Sequence, residues 1–439
     1  MKSFNVAIFG CGTVGGGVAT ILSEMKDELS VRSGHDINLK TIIELFPKAA
    51  AKRFNIPITL FAGGGKDLSP DEALEYIKEI IDSDEIDLIV ETIGGSNDFV
   101  YETALNICRK KKNLVTANKA LLALRGKAIF DTAESNGVNV GFEAAVCGAI
   151  PIIKTIKESF TGDIIESVSG ILNGTSNYIL TMMQDEKMGF DEALKLAQKG
   201  GYAEADPTLD INGYDAGHKL ILLIKLAFGI DISLDQLNPI GIDRISKEDI
   251  EFAEEINCKI KLICYAQKIN GNIYATVKPM MVKKDNVLSG IDGATNAVRL
   301  INKYSGRHVL VGNGAGSLET ASSIVADIVF IAKYSEKISN YIPGSGNGFV
   351  DAKHFVFPYL ILFKTVDSPG ITGLVTTAVG NQNINIDTVS HNRHSKEFAG
   401  FSIATTPCRL EQIENAIAEI RKNKPDVLLM DPKIMPILF

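Results

Sequence analysis

This sequence has no surplus of basic charge. Its 45 lysines and arginines face 53 aspartates and glutamates, a formal net charge of −8, and form no basic stripe. Nucleic-acid binding, which depends on neutralising phosphates with Lys and Arg, is excluded on that ground. No apolar run reaches the roughly 18 residues that a membrane span needs; the greasiest, from Leu220 to Phe228, is interrupted by Lys225. A signal peptide is not expected either, because only six apolar-leaning residues precede Gly10. The six cysteines lack CxxC spacing, which argues against a zinc or disulfide framework and for reduced thiols in the cytoplasm. The six histidines show no ligand spacing apart from His391 and His394, which fall in a predicted hairpin. What is left is a soluble, cytoplasmic protein whose 439 residues predict two to four domains at roughly 100–200 residues each.

Glycine is present at ordinary abundance but unevenly. The 39 glycines bunch at 10–17, 63–65, 94–95, 200–201, 312–316 and 344–348, and such clusters mark tight turns, close backbone approach or linkers. Short apolar runs at 5–9, 39–45, 86–91, 113–117 and 138–144 are separated by helix-sized segments, the first with Val14, Val18, Ile21, Leu22 and Met25 at helical spacing. That alternation predicts a doubly wound parallel sheet over residues 1–140. The middle region reads as mixed α+β, with strands at 164–172, 273–278 and 307–312, a long apolar helix at 213–228 and a charged helix at 248–264. Residues 342–348 have linker composition. The last 85 or so residues read as βαββαβ, with strands at 359–364, 384–390, 399–405 and about 427–430 and helices after Pro369 and Cys408.

Gly10-Cys11-Gly12-Thr13-Val14-Gly15 follows a strand and opens a helix, the context in which G-x-G-x-x-G lets a pyrophosphate approach a helix N-terminus. A plain tight turn is the structural alternative. The acidic partner for the ribose is Glu44, 29 residues past Gly15 and so farther than the usual ~20. Its carboxylate accepts ribose hydroxyls and opposes a 2′-phosphate, which favours NAD over NADP, although Lys48, Lys52 and Arg53 nearby blunt the preference. Thr92, Gly94 and Gly95 end the third strand, and Asn118-Lys119 the fourth, on the carboxyl edge where open α/β sheets bind ligands. The densest signal is Gly201-Tyr202-Ala203-Glu204-Ala205-Asp206-Pro207, followed by Asp210, Gly213, Asp215 and Lys219. Asp215 and Lys219 stand at i and i+4, on one face of a helix that is otherwise apolar. A charged pair there is costly unless paired or used, a structural salt bridge being the alternative. Cys147 lacks an adjacent base and reads as a buried structural thiol.

Together with Gly170-Ile171-Leu172-Asn173-Gly174-Thr175, Gly312-x-Gly314-Ala315-Gly316 and Thr320-Ala321-Ser322-Ser323, these motifs make residues 4–335 resemble homoserine dehydrogenase. The last 85 residues resemble an ACT domain, with Asp367-Ser368-Pro369-Gly370 in its first strand-to-helix turn. The resemblance implies an α/β Rossmann-type NAD(P)-binding domain (1–140, completed by about 312–335) and an α+β substrate-binding and dimerisation domain (141–311). A linker (336–352) and a ferredoxin-like βαββαβ ACT domain (353–439) follow. It implies the monofunctional enzyme, without an aspartate kinase half, that interconverts L-homoserine and L-aspartate 4-semialdehyde in threonine, methionine and isoleucine synthesis. By position, Lys219 passes the proton and Lys119 polarises the substrate oxygen. Glu204 and Asp215, with Asp210 nearby, hold the substrate ammonium, and Gly174, Thr175 and Tyr202 complete the substrate site. A monovalent cation (Na or K) falls on the carbonyls of Glu143, Val146, Gly148 and Ile150. Amino-acid feedback at the ACT region, threonine first, and a homodimer or homotetramer are further expectations. Cys147, Ala149, Asn313 and Glu319 depart from the family pattern and bear on loop geometry. Two other readings stay open: another semialdehyde or amino-acid dehydrogenase of the same fold, and a non-catalytic amino-acid sensor.

Overall fold

The computed structural model describes residues 1–334, 348–350, 354–392 and 399–438. The chain forms two compact units. One draws on Met1–Gly174, Tyr214–Leu234 and the segment from Ala294; the other on Thr175–Gly213, Asp235–Gly293 and the C-terminal segment. Among the described residues no helix is long and apolar enough to cross a membrane.

The first unit contains a five-stranded parallel sheet in the spatial order His35–Ile43, Lys2–Phe9, Leu88–Glu91, Asn113–Thr116, Val140–Gly141. Val6 to Phe9 and Leu88 to Val90 are wholly buried, as strands covered by helices on both faces must be. Helix Thr13–Glu24 lies on one face, where Val18, Ala19 and Leu22 share a core with Ala321, Ile324 and Ile328 of helix Ser317–Lys333. Strand order reverses between the first and third strands, and their carboxyl ends are stitched together by Thr92, whose N–H donates to the Phe9 carbonyl and whose hydroxyl donates to that of Gly10. A crevice for ligands opens at such a point.

Two strands differ from expectation in this unit. The second starts at His35 and ends at Ile43, so Glu44 lies just beyond it. The fifth is only Val140–Gly141, because Glu143 is buried and must find donors: its carboxylate accepts from Ile153 N and Lys154 N, and its own N–H donates to Asp327. Those contacts turn the chain out of the ladder. Three further strands, Ile165–Ile171, Thr295–Asn302 and Gly306–Asn313, pair antiparallel in the same unit.

In the second unit, the helix expected over 248–264 stops at Glu255 (Lys247–Glu255), and Cys258–Ile269 is a strand paired antiparallel with Asn272–Lys283. Asn270-Gly271, both at positive φ, makes the two-residue hairpin turn. The run Cys258, Ile260, Leu262, Ile263, Cys264 buries on this hairpin, and lysines within it hid the strand. The C-terminal segment has strands Tyr359–Thr365, Ile386–Asn392, Ala399–Thr405 and Lys433–Leu438 with helices Ile371–Asn381 and Leu410–Asn423, in the antiparallel order fourth, first, third, second. The last strand lies beyond the expected 427–430, since Asp431-Pro432 follows that stretch and the apolar run comes after it; Leu428 makes only an isolated bridge to Thr365. Of the linker expected at 342–348, residues 342–347 lie outside the described residues, and Gly348 begins a short strand, Gly348–Val350, beside Asn272–Tyr274. His391 is on the second C-terminal strand; His394 lies outside the described residues.

Lys261, 1% exposed, points inward from the hairpin. Its ammonium donates to Asn177 Oδ1 (3.0 Å), Ile291 O (2.7 Å) and Asp292 Oδ1 (2.8 Å), and burial holds its pKa below the usual lysine value. Asp292→Ala leaves this cation buried among neutral acceptors. The expected loss in urea unfolding is about 3 kcal/mol, the low end for breaking a buried pair, because Asp292 is itself 39% exposed. A loss under about 1 kcal/mol, the range of a surface pair, contradicts this account.

Candidate active site

The first strand delivers the chain at Gly10 to the helix that opens at Thr13. A Cβ on Gly15 would lie 2.0 Å from the Gly10 carbonyl oxygen, while one on Gly12 would meet nothing within 4 Å. One glycine thus closes the turn against itself and the other leaves open space above a helix N-terminus that has no side-chain cap and no acidic residue in its first turn. That is the geometry a pyrophosphate needs. Glu44 reaches back to this turn: its carboxylate accepts from Cys11 N (2.8 Å) and Phe46 N (3.3 Å). Arg53 donates to the Thr13 hydroxyl (3.3 Å). Burial, then the Glu44 charge, pushes the Cys11 thiol up to about 12, so it remains a thiol.

At the carboxyl edge, Glu91 organises residues that the sequence placed there one by one. This fully buried carboxylate accepts from Ile93 N (2.9 Å), Gly94 N (3.2 Å) and the Thr116 hydroxyl (2.7 Å). Asn118 N donates in turn to the Thr116 hydroxyl, and its side chain donates to Gly95 O (2.6 Å) while capping the Lys119–Asn136 helix at Leu121 N. Sequence reasoning passed over Glu91; the available signal was a carboxylate closing the otherwise apolar run Leu88-Ile89-Val90.

Lys119, Asp215 and Lys219 come together. Helix Tyr214–Phe228 is buried almost throughout from Asp215 onward. One oxygen of the Asp215 carboxylate accepts from Lys219 Nζ (2.7 Å) and Asn173 Nδ2 (2.8 Å), and the other lies 3.1 Å from Lys119 Nζ. Lys219 also donates to Leu172 O (2.7 Å). Lys219 is buried, whereas the Lys119 side chain is 38% exposed. Burial pushes the Asp215 carboxyl up, but the Lys219 and Lys119 ammoniums and the hydrogen bonds from Lys219 and Asn173 outweigh it, holding the group well below the carboxylate range. Burial lowers the His218 pKa, so this imidazole is neutral at pH 7. Cys147 is fully buried at φ +56°, with its thiol raised by burial, unsuited to a nucleophile. An anchored carboxylate flanked by one buried and one accessible ammonium can stabilise and protonate an alkoxide.

The remaining expected substrate residues, apart from Gly174 at the start of helix Gly174–Asp185, lie in the second unit. There the Thr175 hydroxyl donates to Tyr202 O (2.7 Å), the Ser176 hydroxyl to Asp210 O (2.8 Å), and the Tyr178 and Tyr202 rings stack at 4.3 Å. Glu204 is exposed on the loop these contacts hold, and Gln198 donates to its carbonyl (3.2 Å). In the first unit, Glu143 O accepts from Val146 N, Gly148 O from the Ser323 hydroxyl and Ile150 O from Ile152 N; a carbonyl has two lone pairs, so each can still face a cation. Among the described residues no group of three or more His, Cys, Asp or Glu is arranged to hold a metal ion.

Residues 151–329 match the Homoserine dehydrogenase family model, and residues 10–143 the Homoserine dehydrogenase, NAD binding domain model. The chain is 34% identical over 433 residues to the homoserine dehydrogenase of Neisseria gonorrhoeae (96% of this chain, 95% of that one). It is 40% identical over 332 residues to that of Helicobacter pylori (76% and 74%). The crystal structure of a homoserine dehydrogenase from Thiobacillus denitrificans superposes with TM-score 0.90 at 33% identity, covering 100% of this chain and 99% of that one. A hyperthermophilic archaeal homoserine dehydrogenase in complex with NADPH superposes with TM-score 0.61 at 25% identity, covering 77% and 100%.

Asp215 dictates an acid limb of stability. Its folded pKa lies below the unfolded value near 4, so its contribution is fully present above about pH 4 and is lost as pH falls further. Asp215→Asn removes the carboxylate that pairs with the buried Lys219 ammonium at 2.7 Å and is expected to lose about 3 kcal/mol or more in urea unfolding at pH 7. The gap to the parent protein should narrow below about pH 4. A gap independent of pH contradicts the ion-pair account.

Proposed function

The chain belongs to the homoserine dehydrogenase family, and from this premise we propose that Lys119, Asp215 and Lys219 are its catalytic centre. It is an oxidoreductase that interconverts L-homoserine and L-aspartate 4-semialdehyde with a nicotinamide coenzyme. The observation that carries the assignment is one buried carboxylate bonded to both lysines.

A nicotinamide dinucleotide, when bound, supplies or accepts the hydride. The protein's part is charge and proton. In the reducing direction the carbonyl oxygen gains negative charge as its carbon takes the hydride. Lys119 stabilises that charge and Lys219 gives the oxygen its proton; in the oxidising direction Lys219 accepts the hydroxyl proton. Asp215 holds both lysines; Glu204 and Asp210 are carboxylates suited to the substrate ammonium. Gly174, Thr175 and Tyr202 frame the substrate segment.

The uncapped turn supports a coenzyme held by Gly10, Gly12, Thr13, Val14, Gly15, Thr92, Gly94 and Lys119. Glu44, pinned by two backbone N–H groups, faces the ribose and favours NAD. A monovalent cation on the carbonyls of Glu143, Val146, Gly148 and Ile150 is compatible with their remaining lone pairs. The C-terminal βαββαβ segment is read as an ACT domain. A cavity of about 250 Å³ beside its first turn, lined by Thr365, Asp367, Ser368, Ile371, His391 and Phe401, suits a small amino acid. Threonine is the first candidate, which places the enzyme in threonine, methionine and isoleucine synthesis. A cytoplasmic homodimer or homotetramer completes the reading.

The test is homoserine oxidation with NAD and with NADP, each with and without threonine. Homoserine-dependent coenzyme reduction, faster with NAD and slowed by threonine, is expected; none with either coenzyme overturns the catalytic reading. Lys219→Ala should lower kcat by about 10²-fold or more at similar coenzyme KM, whereas Cys147→Ala should retain turnover. Near-normal kcat in Lys219→Ala would sink the assignment. Loss of turnover in Cys147→Ala would favour a thiol-dependent semialdehyde dehydrogenase.

A further inference from the structure

Residues 172 and 173 act as a template for the ion pair. The Leu172 carbonyl takes the Lys219 ammonium and the Asn173 amide takes the Asp215 carboxylate. The template is held from behind by Asn296, a residue of strand Thr295–Asn302 that is 0% exposed. Asn296 Nδ2 donates to Leu172 O at 3.1 Å, the same oxygen that accepts from Lys219 at 2.7 Å. The other half of this amide, Oδ1, is buried and has no hydrogen-bond partner among the described residues. Turning the amide over would set that oxygen against the Leu172 oxygen, two acceptors facing each other, so its orientation is determined by the carbonyl it serves.

The surroundings are shaped to the amide. A Cβ on Gly314 would fall 2.1 Å from Asn296 Nδ2, and one on Gly148 would fall 2.8 Å from Gly314 O. The glycine at 314 is thus space for this side chain, which accounts for part of the 312–316 cluster. A buried amide with an unmet acceptor is a poor choice for stability, since an apolar side chain of the same shape leaves nothing unpaired. What the position gains is directed N–H donation, to the carbonyl that holds Lys219 and toward the buried Cys147 thiol.

We propose that Asn296 is a positioning residue for hydride transfer, holding the Leu172 carbonyl so that the Lys219 ammonium is aligned for its proton exchange with the substrate oxygen. The inference rests on Lys219 being the proton-transfer group. An error on the order of 1 Å in such alignment costs roughly 10²-fold in rate, while binding of the dinucleotide, carried by other residues, is untouched.

Asn296→Leu is nearly isosteric, removes the donor and removes the orphan acceptor. A role in packing alone predicts unchanged kcat. Positioning predicts kcat for homoserine oxidation reduced on the order of 10- to 100-fold, with coenzyme KM unchanged and Tm equal or higher. A double-mutant cycle with Lys219→Arg then asks whether Asn296 acts through the lysine. The two losses should fail to multiply, because a misplaced lysine has nothing left to be aligned. Should Asn296→Leu not fold, Asn296→Ala deletes the same donor without adding a charge and is expected to lose turnover likewise. Wild-type kcat in either folded variant, or losses that multiply fully with Lys219→Arg, overturns the proposal. Normal turnover in Lys219→Ala would instead defeat the reading on which it rests, so the two failures are separable.

Discussion

The structure turns on one carboxylate shared by two ammonium groups. Asp215 is buried at the head of an apolar helix, where an isolated charge is untenable. It stays ionised because Lys219 lies one helical turn on, Lys119 opposite, and an asparagine amide beside it. Remove any one and the others lose part of their reason to be charged there. The same arrangement that solves this burial problem sets two cations on the two oxygens of one carboxylate, the feature on which the proposed stabilisation of an alkoxide rests. On the proposed roles, stability and chemistry draw on one set of contacts, and the helix needs no separate device to carry the acid–base group.

A second buried carboxylate plays the corresponding part at the sheet edge. Glu91 cannot be solvated at the end of its strand, so it collects Ile93 N, Gly94 N and the Thr116 hydroxyl. Through Thr116 it reaches Asn118, and Asn118 caps the helix that begins at Lys119. The position of the accessible lysine is thus set by a chain of hydrogen bonds that begins in the core. A lysine on a free loop would lose far more side-chain and backbone entropy on engaging its partner.

Much of this was legible in the sequence where the interacting residues are neighbours along the chain. The turn from Gly10 to Gly15 is contiguous, and Asp215 and Lys219 share a helix face by spacing alone. The members that escaped notice are joined across long separations. Glu91 meets Thr116 25 residues away, Asn173 meets Asp215 42 residues away, and Asn296 meets Leu172 124 residues away. No local period encodes such pairs, and an asparagine inside a strand looks like an ordinary polar interruption. The strand expected at 273–278 lies within Asn272–Lys283, but its hairpin partner Cys258–Ile269 escaped for a related reason. Lys259 and Lys261 break its apolar run, and only the tertiary pairing with Asp292 shows why lysines can stand there. The last strand was placed too early because Val427 to Met430 is apolar enough to suggest one, yet Asp431-Pro432 separates it from the stretch that pairs.

The roles proposed for the site residues account for the distribution of exposure among them. A group that exchanges a proton needs a defined distance and a low-dielectric setting, and Lys219 has both, held by Asp215 and by a carbonyl that is itself anchored. A group that captures a solvated substrate ammonium must be reachable first, and Glu204 is exposed on a loop held through Tyr202 O, Gln198 and the stacked Tyr178 and Tyr202 rings. Interchanging these settings would serve neither role. An exposed Lys219 would see its interactions weakened by solvent, and a buried Glu204 would lack the cation it needs until substrate arrived. The division between a paired interior and an accessible, braced loop is therefore a consequence of charge solvation, applied to two steps of the proposed reaction.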